Sequence, residues 1–422
     1  MDEKIEILKK YNFSAENLPD TGLTRHKYVD KIEKFTGNKL IKVLVGQRRT
    51  GKSYILRQII ASFIQNGVPA ENCIYINREL SAFDFLTSGK ELKELIDKYL
   101  ELHHIEGKVY LFIDEVQNIK DWEKVINSYS QDYTRDIEIF ITGSNSDMLS
   151  GELASMLSGR YVRFVIYPID YYEYISFYSL QNNKASFLKY MKDGGLPELF
   201  HLQNEESKMQ YVSAIKDTVL LRDIIYRYQI KNSELLENIF KYLANNASNL
   251  ISINNILKYF KSKNRKTSYD TIAQYIEYMK NAFLVHQAER YHIKGKEILS
   301  GSSKYYINDH SYRNYLYSGF SHGYGYLLEN IIYLELASYG YDVYIGHARN
   351  REIDFVAKKG ERTLYIQCSY NLEDEKTIER EYSSLLGITD NYEKFIVSLD
   401  DLPLPDRSGV KNISAWKIRD IL

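Results

Sequence analysis

The chain is 422 residues long, with 55 Lys+Arg against 56 Asp+Glu and hence a net charge of −1. With 44% hydrophobic and 26% charged residues it has the make-up of a soluble globular protein, which excludes collagen-like, disulfide-stapled and largely disordered classes. Roughly 150 residues per domain suggests about three domains; the balanced charge announces no nucleic-acid binder, although a basic patch can hide inside it.

The N-terminus, MDEKIEILKK, lacks the apolar core of a signal segment. No apolar run approaches the ~18 residues that a membrane span needs. A cytoplasmic protein with no membrane partner is expected. Residues 1–37 read as a polar helical preamble without a strong core pattern. Leu40 to Val45 (LIKVLV) is a short β-branched run, followed by a Gly-rich turn and the helical pattern SYILRQIIASFIQNG. Further strands are expected at Cys73–Ile76, Val109–Ile113, Ile137–Thr142 and Arg163–Tyr167, with a helix over residues 91–104. Strands alternating with helices predict a mostly parallel sheet covered on both faces. Beyond Pro168 the chain turns helical, with a turn at DGGLPE, and a second α/β pattern begins near residue 320. Cys73 and Cys368 stand far apart with no Cys/His ligand spacing, so no structural zinc is expected.

The segment Gly46-Gln47-Arg48-Arg49-Thr50-Gly51-Lys52-Ser53 fits GxxxxGK(S/T) in full, between a predicted strand and a predicted helix. Its chemistry is that of a phosphate cradle. Gly46 and Gly51 let the backbone wrap closely, and the N–H groups of the loop and the helix start point at the anion. Lys52 is expected to reach the β- and γ-phosphates, and Ser53 to offer its hydroxyl to Mg²⁺. The nucleotide-binding stretch runs from Gly46 through Tyr54. Arg48 and Arg49 add local positive charge, and either is free to pair with an acid instead of nucleotide. VYLFI followed by Asp114-Glu115 sets two carboxylates at a strand's C-terminal edge. Asp114 is expected in the Mg²⁺ shell and Glu115 as the general base that polarises the attacking water. Ser144 or Asn145, at the tip of the next strand, is placed to meet the γ-phosphate; either instead caps a helix beginning near Ser146–Asp147. Arg160 is a candidate for an arginine supplied across a subunit or domain boundary, with a surface or structural ion-pair role as its alternative. No NKxD-like guanine-reading motif follows, which favours ATP over GTP.

GQRRTGKS, LFIDEVQNIKDWEKVI, ITGSNSDMLSGELASMLSGRYVRFVIYPIDYYEY and DGGLPEL together resemble a large prokaryotic family. It comprises AAA-type ATPases of the ASCE P-loop division, related to archaeal-type and STAND NTPases. Members often carry a winged helix and a C-terminal domain of uncharacterised or nuclease-like fold. The resemblance implies ATP binding and hydrolysis through Lys52, Ser53, Asp114 and Glu115, a sensor residue at Ser144, and a family-typical Gly-Arg at 159–160.

Residues 235–300 read as helix, helix, longer helix and hairpin, the order of a winged helix. Ser268 is placed to cap the third helix. Between residues 255 and 296 there are nine basic side chains and three acids, a local excess of +6. Lys258, Lys261, Lys263, Arg265, Lys266, Lys280, Arg290, Lys294 and Lys296 make a phosphate-contacting face for double-stranded DNA conceivable. A solvated face or an interdomain module is the plain alternative. In the C-terminal part, Glu329 on a helix and Asp354 on a strand lay out a PD-(D/E)xK-like nuclease, but Gln367-Cys368-Ser369 stands where Glu-x-Lys belongs. Gln367 is at best a weak ligand, and the water-activating lysine is missing. A nuclease-like fold with degraded chemistry, in a binding or scaffold role, is expected. Glu335, His322, His347, Cys368 and the pair His103-His104 lack partners at diagnostic spacing and read as structural.

The expected architecture is therefore α/β throughout. A preamble at 1–37 precedes a P-loop ATPase unit with a parallel sheet at 38–205. A helical linker and winged helix follow at 206–310, then a restriction-endonuclease-like α/β unit at 311–422. The expected partners are ATP with Mg²⁺, double-stranded DNA through the basic segment, and a second copy or another protein.

Overall fold

The computed structural model describes residues 2–14, 18, 21–149, 159–317, 324–348, 351–372, 374–401 and 404–422. The chain forms two compact units, Met1–Ile166 and Tyr167–Leu422.

The first unit is built on five parallel strands: β1 Ile41–Val45, β2 Cys73–Asn77, β3 Val109–Asp114, β4 Ile137–Gly143 and β5 Tyr161–Val165, in the order β2-β3-β4-β1-β5. Every residue of β1 and β4 is buried, the paired Lys42 and Glu138 included, as expected of strands covered by helices on both faces. The helix Lys52–Gln65 covers one face with Ile55, Leu56, Ile59 and Ile60 against Phe112 and Phe140. The N-terminal segment is no loose preamble. Its helices Asp2–Tyr11 and His26–Glu33 bury Ile5, Leu8, Tyr28, Val29 and Ile32, and Phe13, Tyr28, Val29 and Ile32 join the sheet's core. These apolar positions recur at helical spacing but are too few per short helix to stand out among the charges.

The second unit contains one eight-stranded mixed sheet, in the order β13-β12-β11-β10-β9-β7-β8-β6. Its strands are β6 Leu250–Ser252, β7 Val285–His292, β8 Glu297–Ile307, β9 Asp342–Ala348, β10 Arg351–Lys359, β11 Arg362–Ser369, β12 Glu393–Ser398 and β13 Val410–Ser414. The apolar helix Tyr324–Ser338 packs Leu328, Ile331 and Ile332 in one core with Tyr306, Phe355 and Ile366. The helix Glu375–Leu386 serves another core, where Tyr382 and Leu385 meet Val356, Tyr365 and Ile396. A third core joins the helices Glu205–Thr218, Ser233–Asn245, Ile253–Ser262 and Tyr269–Asn281. The divisions expected at 205/206 and 310/311 both fall inside this unit. The sheet crosses residue 310 because β7 pairs with β9 in parallel, Arg290 opposite Ile345 and His292 opposite His347.

Candidate functional site

The loop after β1 is shaped by close approach. A Cβ on Gly46 would lie 2.3 Å from the Ile166 carbonyl oxygen, so only glycine fits. Gly51 takes φ +93°, in the left-handed region, and opens the helix Lys52–Gln65. The loop's carbonyls are held from several sides. Thr50 donates its hydroxyl to Gln47 O at 2.9 Å, and the buried Arg25 donates Nη1 to Thr50 O at 2.8 Å. Gln58, on the loop's own helix, accepts from Arg25 N–H and donates Nε2 to Thr21 O and Leu23 O. Lys52 is buried; its Nζ donates to Gly46 O at 2.9 Å and Gln47 O at 3.0 Å, and lies 3.6 Å from Glu115 Oε1. Tyr54 is half exposed, with the Arg57 guanidinium 4.2 Å from its ring.

The two carboxylates at the end of β3 are fixed by β4. Thr142 donates its hydroxyl to Asp114 Oδ1 and accepts the Glu115 N–H at 2.9 Å. Tyr75, from β2, donates to Asp114 Oδ2 at 3.1 Å. Glu115 takes φ +54°, which turns its side chain out of strand alternation and toward Lys52. Gln117 donates Nε2 to Glu115 Oε2 and lies 3.4 Å from the Ser144 hydroxyl. Gly143 leaves the room for this: a Cβ there would sit 2.0 Å from Met148 Sδ and 2.9 Å from Gln117 Oε1. Burial, then the Glu115 charge, push the Asp114 carboxyl above its ordinary range; hydrogen bonds from Ser53 and Thr142 and the Lys52 charge pull the other way. The Ser53 hydroxyl is thus near enough to Asp114 to pull its carboxyl down, and the two offer hard oxygens of the kind Mg²⁺ prefers. The helix start at Lys52, with Gly51 in the left-handed region before it, offers N–H groups beside them of the kind that bind phosphate.

Gly46, Lys52, Ser53, Asp114, Glu115 and Ser144 therefore gather at the C-terminal edge of the parallel sheet. Gln47, Thr50 and Asn145 are buried beside them, Arg48 forms a close ion pair with Glu79, and Arg49 is exposed. Arg160 is not brought to this site. It immediately precedes β5, its carbonyl accepts Ile41 N–H at 2.9 Å, and its side chain is exposed. It sits at the N-terminal end of the parallel pair β1–β5, about 16 Å of strand from the loop. The helix expected beyond Ser146–Asp147 lies largely outside the described residues. Sequence reasoning missed Thr142, Tyr75, Gln117 and Arg25. A polar residue ending the apolar stretch IFI of the IEIFIT run was the available signal for Thr142; nothing local marks the others.

In the second unit, Ser268 caps the helix Tyr269–Asn281, accepting Thr271 N–H at 3.1 Å. Lys258, Lys261, Lys263, Lys266, Lys294 and Lys296 are exposed. Three of the nine cations are engaged: Arg265 with Glu234 at 2.9 Å, Lys280 with Glu277 at 2.7 Å, and Arg290 with His347 at 3.1 Å. His103 stacks on Tyr99, and Glu335 accepts Tyr171 N–H at 3.2 Å, both structural contacts. His322 lies outside the described residues. Among the described residues no group of three or more His, Cys, Asp or Glu is placed to hold a metal ion, and no helix is long and apolar enough to cross a membrane.

Glu329 and Asp354 do come together, around Lys304. Gln367 is not a ligand there: its amide oxygen accepts Asp354 N–H at 3.3 Å. Burial, chiefly, pushes the Glu329 carboxyl up from 4.5 to about 8, with Lys304 opposing. The folded chain then binds more protons here than the unfolded one between those two values. Stability from this group is full below 4.5 and is lost as pH rises toward about 8. Glu329→Gln should flatten that decline, read as the melting temperature across this pH window for both proteins.

Comparison with known proteins gives two family matches along the chain. Residues 38–175 match a family described as an AAA domain, and residues 184–322 match a domain of unknown function (DUF8612). An uncharacterized protein of Haemophilus influenzae is 33% identical over 380 residues, covering 89% of this chain and 93% of that protein. An uncharacterized protein of Methanocaldococcus jannaschii is 32% identical over 374 residues, covering 85% and 79%. Among solved structures, the Aeropyrum pernix ORC1 protein in complex with DNA aligns with a TM-score of 0.32 at 11% identity, covering 75% of this chain and 97% of that one. AMPPCP-bound DnaA from Aquifex aeolicus aligns with a TM-score of 0.30 at 14% identity, covering 64% and 91%. At scores this low the likeness carries no functional weight.

Proposed function

The chain belongs to the family of AAA-domain proteins that includes these Haemophilus and Methanocaldococcus relatives, and from that premise we propose that it binds ATP with Mg²⁺ and hydrolyses it. One observation carries this reading: the Lys52 ammonium, the Ser53 hydroxyl and the Asp114 and Glu115 carboxylates converge on one glycine-lined loop, with Thr142 aligning both acids. The loop N–H groups and the helix start bind the phosphates, and Lys52 takes the β- and γ-oxygens. Ser53 and Asp114 would hold Mg²⁺, which would supply charge neutralisation to the phosphates. Glu115 accepts the proton of the attacking water. Gln117 and Ser144 orient at the γ-phosphate end. Arg160, remote from its own loop, is placed to act at the site of a second copy. The helix, strand, two helices and hairpin between Ser233 and Ile307 serve as a winged helix, and its exposed lysines contact double-stranded DNA.

One observation favours a second reading, an ATP-switched module with slow turnover: Glu115 is engaged on both oxygens, by Lys52 and by Gln117. Steady-state ATP hydrolysis with Mg²⁺, with and without duplex DNA, tests both. Turnover raised by DNA supports the hydrolase and the basic face together. Tight ATP binding with no turnover in either condition sinks the hydrolase and leaves the switch.

Thr142→Val keeps the shape of the strand tip and removes the hydroxyl between the two acids. Turnover should fall by roughly tenfold to a hundredfold, the consequence of ~1–3 kcal/mol lost at an unsatisfied buried group. ATP affinity should change less than turnover, which isothermal titration alongside the kinetics reads directly.

A further inference from the structure

The carboxylates laid out like a nuclease centre meet around an ammonium. Lys304 Nζ lies 2.9 Å from Glu329 Oε1, 3.2 Å from Asp354 Oδ1 and 2.8 Å from Glu352 Oε1, and its side chain is 4% exposed. The rest of the pocket is committed as well. Glu329 Oε1 also accepts the Tyr306 hydroxyl at 2.7 Å, and Asp354 Oδ2 accepts Cys368 N–H at 2.9 Å. Gln367, where a third ligand would come from, turns its amide oxygen onto Asp354 N–H at 3.3 Å. Ser369, at the usual lysine position, donates its hydroxyl to Asn371 O at 2.9 Å. A hard divalent cation wants about six oxygens. These residues do not fit one: their inward-facing oxygens are already spent on a lysine.

We propose that Lys304 is the resident cation of this centre. Its ammonium holds the place between Glu329 and Asp354 that a divalent metal takes in a two-carboxylate nuclease. The C-terminal sheet consequently binds no metal there and cleaves no phosphodiester bond. The lysine does not come from β11, which carries Gln367 and Ser369. It comes from β8, a strand of the hairpin, and so ties that hairpin to the helix Tyr324–Ser338 and to β10. The inference stands apart from the ATP reading and uses no residue of the first unit.

The test is equilibrium Mn²⁺ binding to the full chain, followed by electron paramagnetic resonance, together with a plasmid-nicking assay in Mg²⁺ or Mn²⁺. Wild type and Asp354→Asn should bind the same number of Mn²⁺ ions, since any ion at the phosphate loop counts in both. Lys304→Ala should gain one ion per chain, and Lys304→Ala/Asp354→Asn should lose it again. Wild type should leave plasmid intact. A wild-type ion that disappears in Asp354→Asn overturns the proposal, as does a folded Lys304→Ala that gains none. Nicking by wild type that Lys304→Ala abolishes also overturns it, and makes Lys304 the water-orienting group of a working nuclease. Should Lys304→Ala fail to fold, the wild-type plasmid assay and the Asp354→Asn comparison decide.

Discussion

Glu115→Gln is expected to bind ATP about as well as the wild type while its turnover falls by roughly 10²- to 10⁴-fold, the usual contribution of a positioned general base. The reasoning is geometric. The substitution keeps the side chain's size and its left-handed backbone position, with Glu115 N–H still on Thr142. What goes is the one carboxylate facing Lys52 across 3.6 Å that is not shared with Ser53. Lys52→Ala should behave differently. It removes a charge that bridges the loop to β3, so affinity and turnover should fall together. Single-turnover hydrolysis beside a binding titration separates the two patterns. Equal loss of affinity in both variants would mean that Glu115 shapes the pocket and does not take the proton.

The largest stability effect is expected at the other end of the same sheet. Lys42 and Glu138 form a close ion pair whose side chains are both 0% exposed. Burial draws the Lys42 ammonium below its ordinary value, and Glu138 opposes this. Glu138 also accepts Gly37 N–H at 3.1 Å on each oxygen and Lys108 Nζ at 3.1 Å. Lys42→Met leaves a fully buried carboxylate with only these weaker supports. A loss of about 3 kcal/mol is expected, the low end for breaking a buried pair from one side. Lys42→Met/Glu138→Leu should recover most of it, because the penalty lies in the buried carboxylate left with Lys108 as its one cation and not in the missing attraction. Urea unfolding midpoints at constant slope measure both. A double variant no more stable than the single one would show that the pair itself holds the strand ends.

The parallel sheet was legible because its information is local. Five apolar runs, a glycine-rich turn and paired acids at a strand end each occupy fewer than ten consecutive residues. The loop and the acids could be named for the same reason. What stayed hidden depends on which strands become neighbours. Thr142 matters only because β4 lies beside β3, and Tyr75 only because β2 lies on the other flank. Arg160 looked like a site residue from its place after the helix. The parallel register of β1 with β5 sends it to the opposite edge. Lys304 was invisible as a partner of Glu329 and Asp354, since 25 and 50 residues separate it from them and its own strand read as a simple hairpin.

The parallel pairing of β7 with β9 has a mechanical meaning. A hairpin attached by two ends alone would swing like a hinged arm and pass on little of any pull at its tip. Here the tip lysines at 294 and 296 sit in the turn that joins β8 to β7, and β7 is stitched in series through β9, β10, β11, β12 and β13. Lys304 rivets the return strand to the sheet's covering helix. Load applied at the basic tip is therefore shared across the whole sheet, which acts as a stiff beam rather than a tether.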